Sequence, residues 1–192
     1  MIVLPDQELA IITPPRTAST SLHAALCREP YRGIYVIGPA FPPEHINQHT
    51  AFVPPEFGSF AVASTMRHPF DRLVSLWYFW LGQRNGAPSM SFKDFARVAI
   101  ERKSLEPFYC LSISEWLYDV KIHQVLVVEN LLEGVKKFGV RLAYIPHLHR
   151  TNRQPPWQSY YDAETLELVE PWAKPDLLLG NYPVENAPIH AR

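Results

Sequence analysis

The sequence predicts an α/β protein in which helices pack in layers on a central, mainly parallel β-sheet. Short apolar runs typical of buried strands alternate with segments whose apolar residues repeat at helical spacing. Strands and helices that alternate in this way usually form parallel sheets through helical crossovers. The chain has 192 residues and shows no internal repeat or linker, so we expect a single domain over residues 1–192.

The first half of the chain contains three predicted strands and two predicted helices. The strands are expected at 8–13, 33–37 and 60–65, and the helices at 19–27 and from Pro69 onward. The second helix carries a stripe of apolar residues at helical spacing, namely Leu73, Leu76, Trp77, Trp80 and Leu81. Ser75 lies outside this stripe, so we do not expect burial to explain it.

The second half contains one further strand and three helices. Ser91 and Asp94 resemble a capping box that begins a helix ending near residue 102. Asp162 is a plausible N-cap for a helix over 163–170. A strand is predicted at 124–128, followed by a helix at 131–138.

Composition limits the classes of function. The net charge of −1 and the pI of about 6.7 give no electrostatic case for nucleic acid or an anionic membrane as partner. The sequence shows neither a signal peptide nor an apolar stretch long enough to span a bilayer, and we therefore expect a cytoplasmic protein. The 19 prolines are expected outside helix and strand interiors, in stiff loops such as residues 39–58.

A polar turn between the first strand and the first helix is a candidate anion site. In parallel sheets, ligands bind beyond the carboxyl ends of strands, and a helix N-terminus presents N–H groups to an anion. Hydroxyl groups and an arginine suit a 5′-phosphate, although ordinary Ser/Thr capping of a helix needs similar residues. The glycines and lysine of an ATP-binding loop are absent. The candidate residues are Arg16, Thr17, Ala18, Ser19, Thr20 and Ser21.

A second candidate anion site follows the strand at 60–65. Arg67 comes directly after this strand, and Ser75 lies two turns into the next helix. An arginine and a hydroxyl together can bind one phosphate. An ion pair of Arg67 with a carboxylate, with Ser75 incidental, would explain the same residues.

Taken in order, these two motifs resemble the sulfotransferase superfamily, which uses 3′-phosphoadenosine 5′-phosphosulfate (PAPS). The segment ITPPRTASTSL is similar to the family's 5′-phosphosulfate loop, and MRHPFDRLVSLW to its pattern R-[ND]-P-[YF]-x-R-L-V-S. VVENL and the tail from PHLHRTNRQP to DLLLGNY also resemble family segments. The chain departs from the pattern at Arg16, where many members have Lys, and at Ala18, where Gly is frequent.

The resemblance implies a three-layer, P-loop nucleotide-hydrolase-like fold and transfer of a sulfuryl group from PAPS to a small-molecule or carbohydrate acceptor. Arg16 and the turn to Ser21 would stabilise the departing 5′-phosphate, and Arg67 with Ser75 would hold the 3′-phosphate. Arg150, in a late basic loop, is a further candidate phosphate contact. The transferred group carries less charge than a γ-phosphate, so we expect no metal site.

A general base should accept the acceptor's proton. Family members often place a histidine before the 3′-phosphate arginine, which makes His49 the first candidate and His45 the second; Glu129 is a further one. Two alternative functions stay open: a P-loop-type nucleotide kinase, and a protein of this fold that binds PAPS without catalysis.

Overall fold

A computed structural model of the protein describes residues 1–28, 30–36, 38–39, 46–47, 49–83, 90–101, 110–148 and 156–183. The predicted α/β class is confirmed: an open, mostly parallel sheet is combined with helices, an arrangement compatible with three layers. The chain divides into two compact units, Met1–Arg67 with Glu115–Arg150, and His68–Ser114 with Thr151–Arg192. The expectation of a single domain stays a prediction.

The first unit contains the sheet. Its strands are β1 (Ile2–Leu4), β2 (Leu9–Ile12), β3 (Ile34–Tyr35), β4 (Gly38–Pro39), β5 (Ile46–Asn47), β6 (Ala61–Met66) and β7 (Gln124–Val127). Five of them form one sheet in the order β3-β1-β2-β6-β7, and β4 pairs with β5 separately. β2, β6 and β7 are parallel neighbours, whereas β1 is antiparallel to both β2 and β3. Four of the five strands therefore run in one direction.

The helices begin and end close to the predicted positions in most cases. They are α1 (Ser19–Leu26), α2 (Pro69–Gln83), α3 (Phe92–Glu101), α4 (Ile113–Trp116), α5 (Leu131–Lys136) and α6 (Ala163–Leu179). The predicted capping box is present, since the Ser91 hydroxyl donates to Asp94 and accepts from the Asp94 N–H. The predicted N-cap is also present, because Asp162 accepts from the Thr165 N–H at 2.7 Å. Among the described residues, no helix is long and apolar enough to cross a membrane.

The core of the first unit lies where α1 and α5 pack on one face of the sheet. Alternate strand residues contribute to this face because side chains along a strand point to opposite sides. The contributing strand residues are Ile2, Leu4, Leu9, Ile11, Ala63 and Leu126, and the helical ones are Leu22, Leu26, Leu131 and Val135. This packing fixes α1 against the strand that precedes it, and so fixes both ends of the turn between them.

The second unit is built from α2, α3 and α6 around an aromatic-rich core. It also holds a buried polar cluster. Asp176, which has no exposed surface, accepts hydrogen bonds from the Ile113 N–H at 2.8 Å and from the N–H and hydroxyl of Ser114 at 2.7 Å each. Arg72, also fully buried, donates from Nη1 to the Leu111 carbonyl at 2.9 Å. Burial raises the pKa of the Asp176 carboxyl, and the positive charge of Arg72 opposes that shift.

Three expectations are corrected by the fold. Pro171 and Pro175 lie inside α6, although prolines were expected outside helix interiors; both are on its exposed side, where carbonyls that lose an N–H partner can bind water. Pro39 likewise lies in a strand, β4. Ser75 lies off the apolar stripe of α2, but it is buried with only 1% of its surface exposed, which corrects the expectation that burial does not explain it.

Candidate functional site

Two arginine-bearing segments lie at the same edge of the sheet. β2 and β6 are parallel neighbours, with Ile12 paired to Ser64, so their carboxyl ends coincide. The turn of residues 13–18 follows β2, and Arg67 follows β6 directly. Arg16 and Arg67 are both half-buried. The carboxyl edge of the sheet therefore carries two positive charges in the first unit, at the edge where open α/β sheets bind ligands.

The first turn of α1 has backbone N–H groups that can donate hydrogen bonds to a ligand. Its N-cap is Ala18, which makes no side-chain capping hydrogen bond. Within the part of the chain that the structure describes, the N–H groups of residues 19–21 donate to no acceptor. Ordinary Ser/Thr capping, the alternative explanation for this polar segment, is therefore not what the turn uses. The first-turn N–H groups lie at the positive end of the helix dipole, which favours an anion.

The hydroxyl groups of this first turn differ in exposure. Thr20 is exposed, whereas Ser19 and Ser21 are buried. The Ser21 oxygen accepts a hydrogen bond from the Leu148 N–H at 3.2 Å, which leaves its own proton to donate. The segment thus combines main-chain and hydroxyl donors within one helical turn.

The turn is held in a strained conformation. Arg16 and Ala18 both have a φ of 67°, in the left-handed region that residues with a Cβ rarely adopt. Each such residue costs about 1–3 kcal/mol and persists only where surrounding contacts fix it. Backbone strain of this kind is concentrated at ligand-binding and catalytic sites.

Thr17 lies between the two strained residues and has no exposed surface. Its N–H donates to the Pro14 carbonyl at 3.3 Å, and its hydroxyl donates to the same carbonyl at 2.6 Å. The Thr17 and Thr65 hydroxyls are 2.6 Å apart. The Thr17 side chain therefore bonds within the protein, and its contribution to an anion site is to shape the turn.

His49 lies against the start of the turn. Its ring is buried, with 6% exposed, and Nδ1 is 2.7 Å from the Thr13 carbonyl oxygen. A carbonyl can only accept, so Nδ1 carries the proton in this hydrogen bond, and in the neutral ring Nε2 is the nitrogen that carries no proton. This is the tautomer that a general base at Nε2 requires.

The remaining predicted residues lie elsewhere. Ser75 is on α2, in the second unit. Glu129 is exposed in a short 3₁₀ helix that follows β7. His45 and Arg150 are outside the described residues. The first unit thus brings together the Arg16–Ser21 segment, Arg67 and His49, and the roles of the other residues stay predictions.

Two threonines at strand ends received no role from the sequence. Thr13 supplies the carbonyl that orients His49, and Thr65 supplies the hydroxyl that meets Thr17. Thr13 directly follows β2, Thr65 is the last residue but one of β6, and neither has any exposed surface. A hydroxyl residue in the last position or two of an apolar strand is the signal that could have identified them.

Comparison with protein-family models, curated proteins and solved structures gave no match for this chain. Within the described ranges, no group of three or more His, Cys, Asp and Glu side chains is placed to hold a metal ion. What the geometry supports is a candidate anion site on an α/β sheet edge, composed of guanidinium, hydroxyl and backbone N–H donors beside a buried histidine.

Proposed function

We propose that this protein is a sulfotransferase that moves a sulfuryl group from PAPS to a hydroxyl or amine of a small-molecule or carbohydrate acceptor. The observation that carries the proposal is the strained turn before α1, whose first-turn N–H groups are not capped by a side chain and whose Arg16 lies at the same sheet edge as Arg67. The choice of PAPS as the nucleotide rests on the order and spacing of the two motifs, which resemble those of the sulfotransferase superfamily.

Different residues serve the two ends of the nucleotide in this proposal. Arg16 and the donors of residues 18–21 bind the 5′-phosphate and stabilise the charge that develops on it as the sulfuryl group leaves, and Thr17 shapes the turn that carries them. Arg67 binds the 3′-phosphate and so distinguishes PAPS from ATP. Ser75 joins Arg67 in this role on the strength of the sequence motif.

The reaction needs one proton acceptor. The acceptor oxygen or nitrogen attacks sulfur while the bond between sulfur and the 5′-phosphate oxygen breaks, and the electron pair stays with the phosphate. The acceptor's proton goes to His49 Nε2, the nitrogen that the Thr13 contact leaves unprotonated. The protein contributes chiefly by holding these groups in line and stabilising charge.

Calorimetry with 3′-phosphoadenosine 5′-phosphate and with ADP, both without Mg²⁺, tests the nucleotide. We expect clear preference for the 3′-phosphorylated compound. Arg67→Ala should weaken its binding about 10- to 150-fold and remove the preference, since hydrogen bonds to charged groups contribute about 1.5–3 kcal/mol. Arg97→Ala, which removes a surface ion pair with Glu164, is the matched control and should change neither affinity.

Equal affinity of the wild type for both nucleotides would contradict the proposal and favour a nucleotide kinase. A preference that survives in Arg67→Ala would remove Arg67 from the 3′-phosphate site.

His49→Asn tests the base. The asparagine amide can still donate to the Thr13 carbonyl, but it has no group that accepts a proton at neutral pH. We expect sulfate transfer to fall about 10²- to 10⁴-fold while nucleotide affinity is unchanged. Full activity in the variant would reject His49, and a wild type that binds the nucleotide but transfers to no acceptor would indicate a non-catalytic binding protein.

A further inference from the structure

The strained turn before α1 needs a contact that holds it. Arg16 and Ala18 both have left-handed φ values, and Thr17 lies between them. Such a conformation relaxes unless neighbouring groups fix it. The contacts of Thr17 are therefore where the restraint on the turn is expected.

The hydroxyl groups at this point form a short directional chain. The Pro14 carbonyl can only accept, so the Thr17 hydroxyl proton goes to it, at 2.6 Å. The Thr17 oxygen must then accept from the Thr65 hydroxyl, also at 2.6 Å. The distance from Thr65 Oγ1 to the Ile12 carbonyl is 3.5 Å, at the limit for a hydrogen bond, so Thr17 is its main partner.

This chain joins the two arginine-bearing segments. Thr65 belongs to β6 and precedes Arg67 by two residues, whereas Thr17 follows Arg16 directly. Both threonines have no exposed surface, so the hydrogen bond between them has no competition from bulk water. Movement of the turn relative to β6 would break it.

We propose that Thr65 is a positioning residue: its hydroxyl holds the turn of residues 13–18 in the strained conformation that presents the α1 N-terminus and Arg16 to an anion. The identity of that anion rests on the proposed sulfotransferase function, but the restraint on the turn does not. Thr65 itself touches no ligand in this role.

Thr65→Val tests the hydroxyl, because valine keeps the shape of threonine and removes the donor. Two measurements are made: hydrogen–deuterium exchange over residues 12–22 in the unliganded protein, and calorimetry with 3′-phosphoadenosine 5′-phosphate. We expect about tenfold faster exchange in the turn and about tenfold weaker binding, the effect of losing one buried hydrogen bond. Thr65→Ser keeps the hydroxyl and should match the wild type in both.

The substitution Ala18→Gly distinguishes loss of the restraint on the turn from a general loss of stability. Glycine adopts positive φ without the strain of a Cβ, so the turn should then need less restraint. In the double variant Thr65→Val with Ala18→Gly, binding should return to within about threefold of the wild type. Thr165→Val, which removes a 2.6 Å hydrogen bond from a buried threonine to the exposed Asp162 in the second unit, is the control and should affect neither measurement.

The outcomes separate the two proposals. Unchanged exchange and binding in Thr65→Val would overturn the positioning role, as would a Thr65→Ser variant that loses binding or failure of Ala18→Gly to restore it. If the wild type does not bind the nucleotide, the proposed function fails, but exchange that is faster in Thr65→Val and restored by Ala18→Gly still supports the restraint. If Thr65→Val does not fold, the proposal is tested by Thr65→Ser: exchange and binding like those of the wild type support the positioning role, and a loss of either overturns it.

Discussion

Replacement of Asp176 by alanine should destabilise the protein by about 3–5 kcal/mol, because the variant loses a buried carboxyl group that satisfies three hydrogen-bond donors. The carboxylate accepts three hydrogen bonds, from the Ile113 N–H and from the N–H and hydroxyl of Ser114, at 2.7–2.8 Å. Alanine leaves these donors unsatisfied and Arg72, which is fully buried, without its neighbouring negative charge. Unsatisfied buried donors cost about 1–3 kcal/mol each, and Ser114 is only half-buried, so the individual costs do not simply add.

Urea unfolding followed by fluorescence measures this loss. Ser114→Ala removes only the hydroxyl bond and should cost about 1 kcal/mol, which calibrates one of the three contacts. A loss below about 1 kcal/mol in Asp176→Ala would refute the reasoning, because it would mean that the carboxylate's burial costs as much as its hydrogen bonds contribute.

The pH dependence of the same comparison has a definite sign. Burial raises the pKa of Asp176, so the folded protein holds this proton more tightly than the unfolded chain does. The stability contribution of the group is then fully present below the ordinary Asp pKa of about 3.9 and decreases as the pH rises through the raised value. The stability difference between wild type and Asp176→Ala should therefore be larger near pH 4 than at neutral pH. A difference that increases with pH would contradict the direction of the shift.

Three further predictions concern other parts of the structure. Asp162→Ala should lower the free energy of unfolding by about 1 kcal/mol in thermal or urea unfolding, because Asp162 caps α6 through Thr165. Hydrogen bonds from Thr165 lower the pKa of Asp162, so this loss of stability should disappear as the pH falls through the lowered pKa. A loss that is constant with pH would argue against the cap. Leu126→Ala should lower the free energy of unfolding by about 2–5 kcal/mol, because the Leu126 side chain on β7 is fully buried against α5. A loss below about 1 kcal/mol would contradict this packing. Burial raises the pKa of the Cys27 thiol, so its alkylation at pH 8, monitored by mass spectrometry, should be slower than that of a model thiol. Alkylation of Cys110 should be slower still, because this residue is buried.

Much of the fold could be predicted because its main elements have strong local signals. The apolar run at 8–13 contains β2, and the run at 60–65 agrees with its parallel neighbour β6 to within one residue at each end. Asp162 was identified as an N-cap from its position alone, since capping depends on residues three or four positions apart. The position of Arg67 after a strand can also be predicted locally, because Arg67 closely follows the apolar run at 60–65.

Other features depended on contacts that periodicity does not reveal. β1 is only three residues long and pairs antiparallel with β2, so its apolar residues give no helical or alternating pattern. α6 continues through Pro171 and Pro175 because packing of its buried side outweighs the lost N–H groups. The burial of Ser75 likewise depends on what α2 packs against, which the stripe of apolar residues alone did not define.

The candidate site was predicted in its residue types but not in its internal contacts. The sequence pointed to Arg16, Arg67 and His49, whose neighbours along the chain carry recognisable patterns. It assigned no role to Thr65: a hydroxyl residue near the end of an apolar strand can be recognised, but its hydrogen bond to Thr17, 48 positions earlier in the turn after β2, cannot be predicted from spacing. The orientation of His49 by a main-chain carbonyl is invisible to sequence for the same reason.

The link between Thr17 and Thr65 has a consequence for how the protein acquires its site. The two residues are 48 positions apart, so the chain must close a long loop before their hydroxyl groups can meet. A peptide containing only β2, the turn and α1 would lack the restraint and should bind phosphate no better than any short helix. During synthesis, the turn leaves the ribosome well before β6 does, and competence to hold an anion should appear only once β6 has paired with β2.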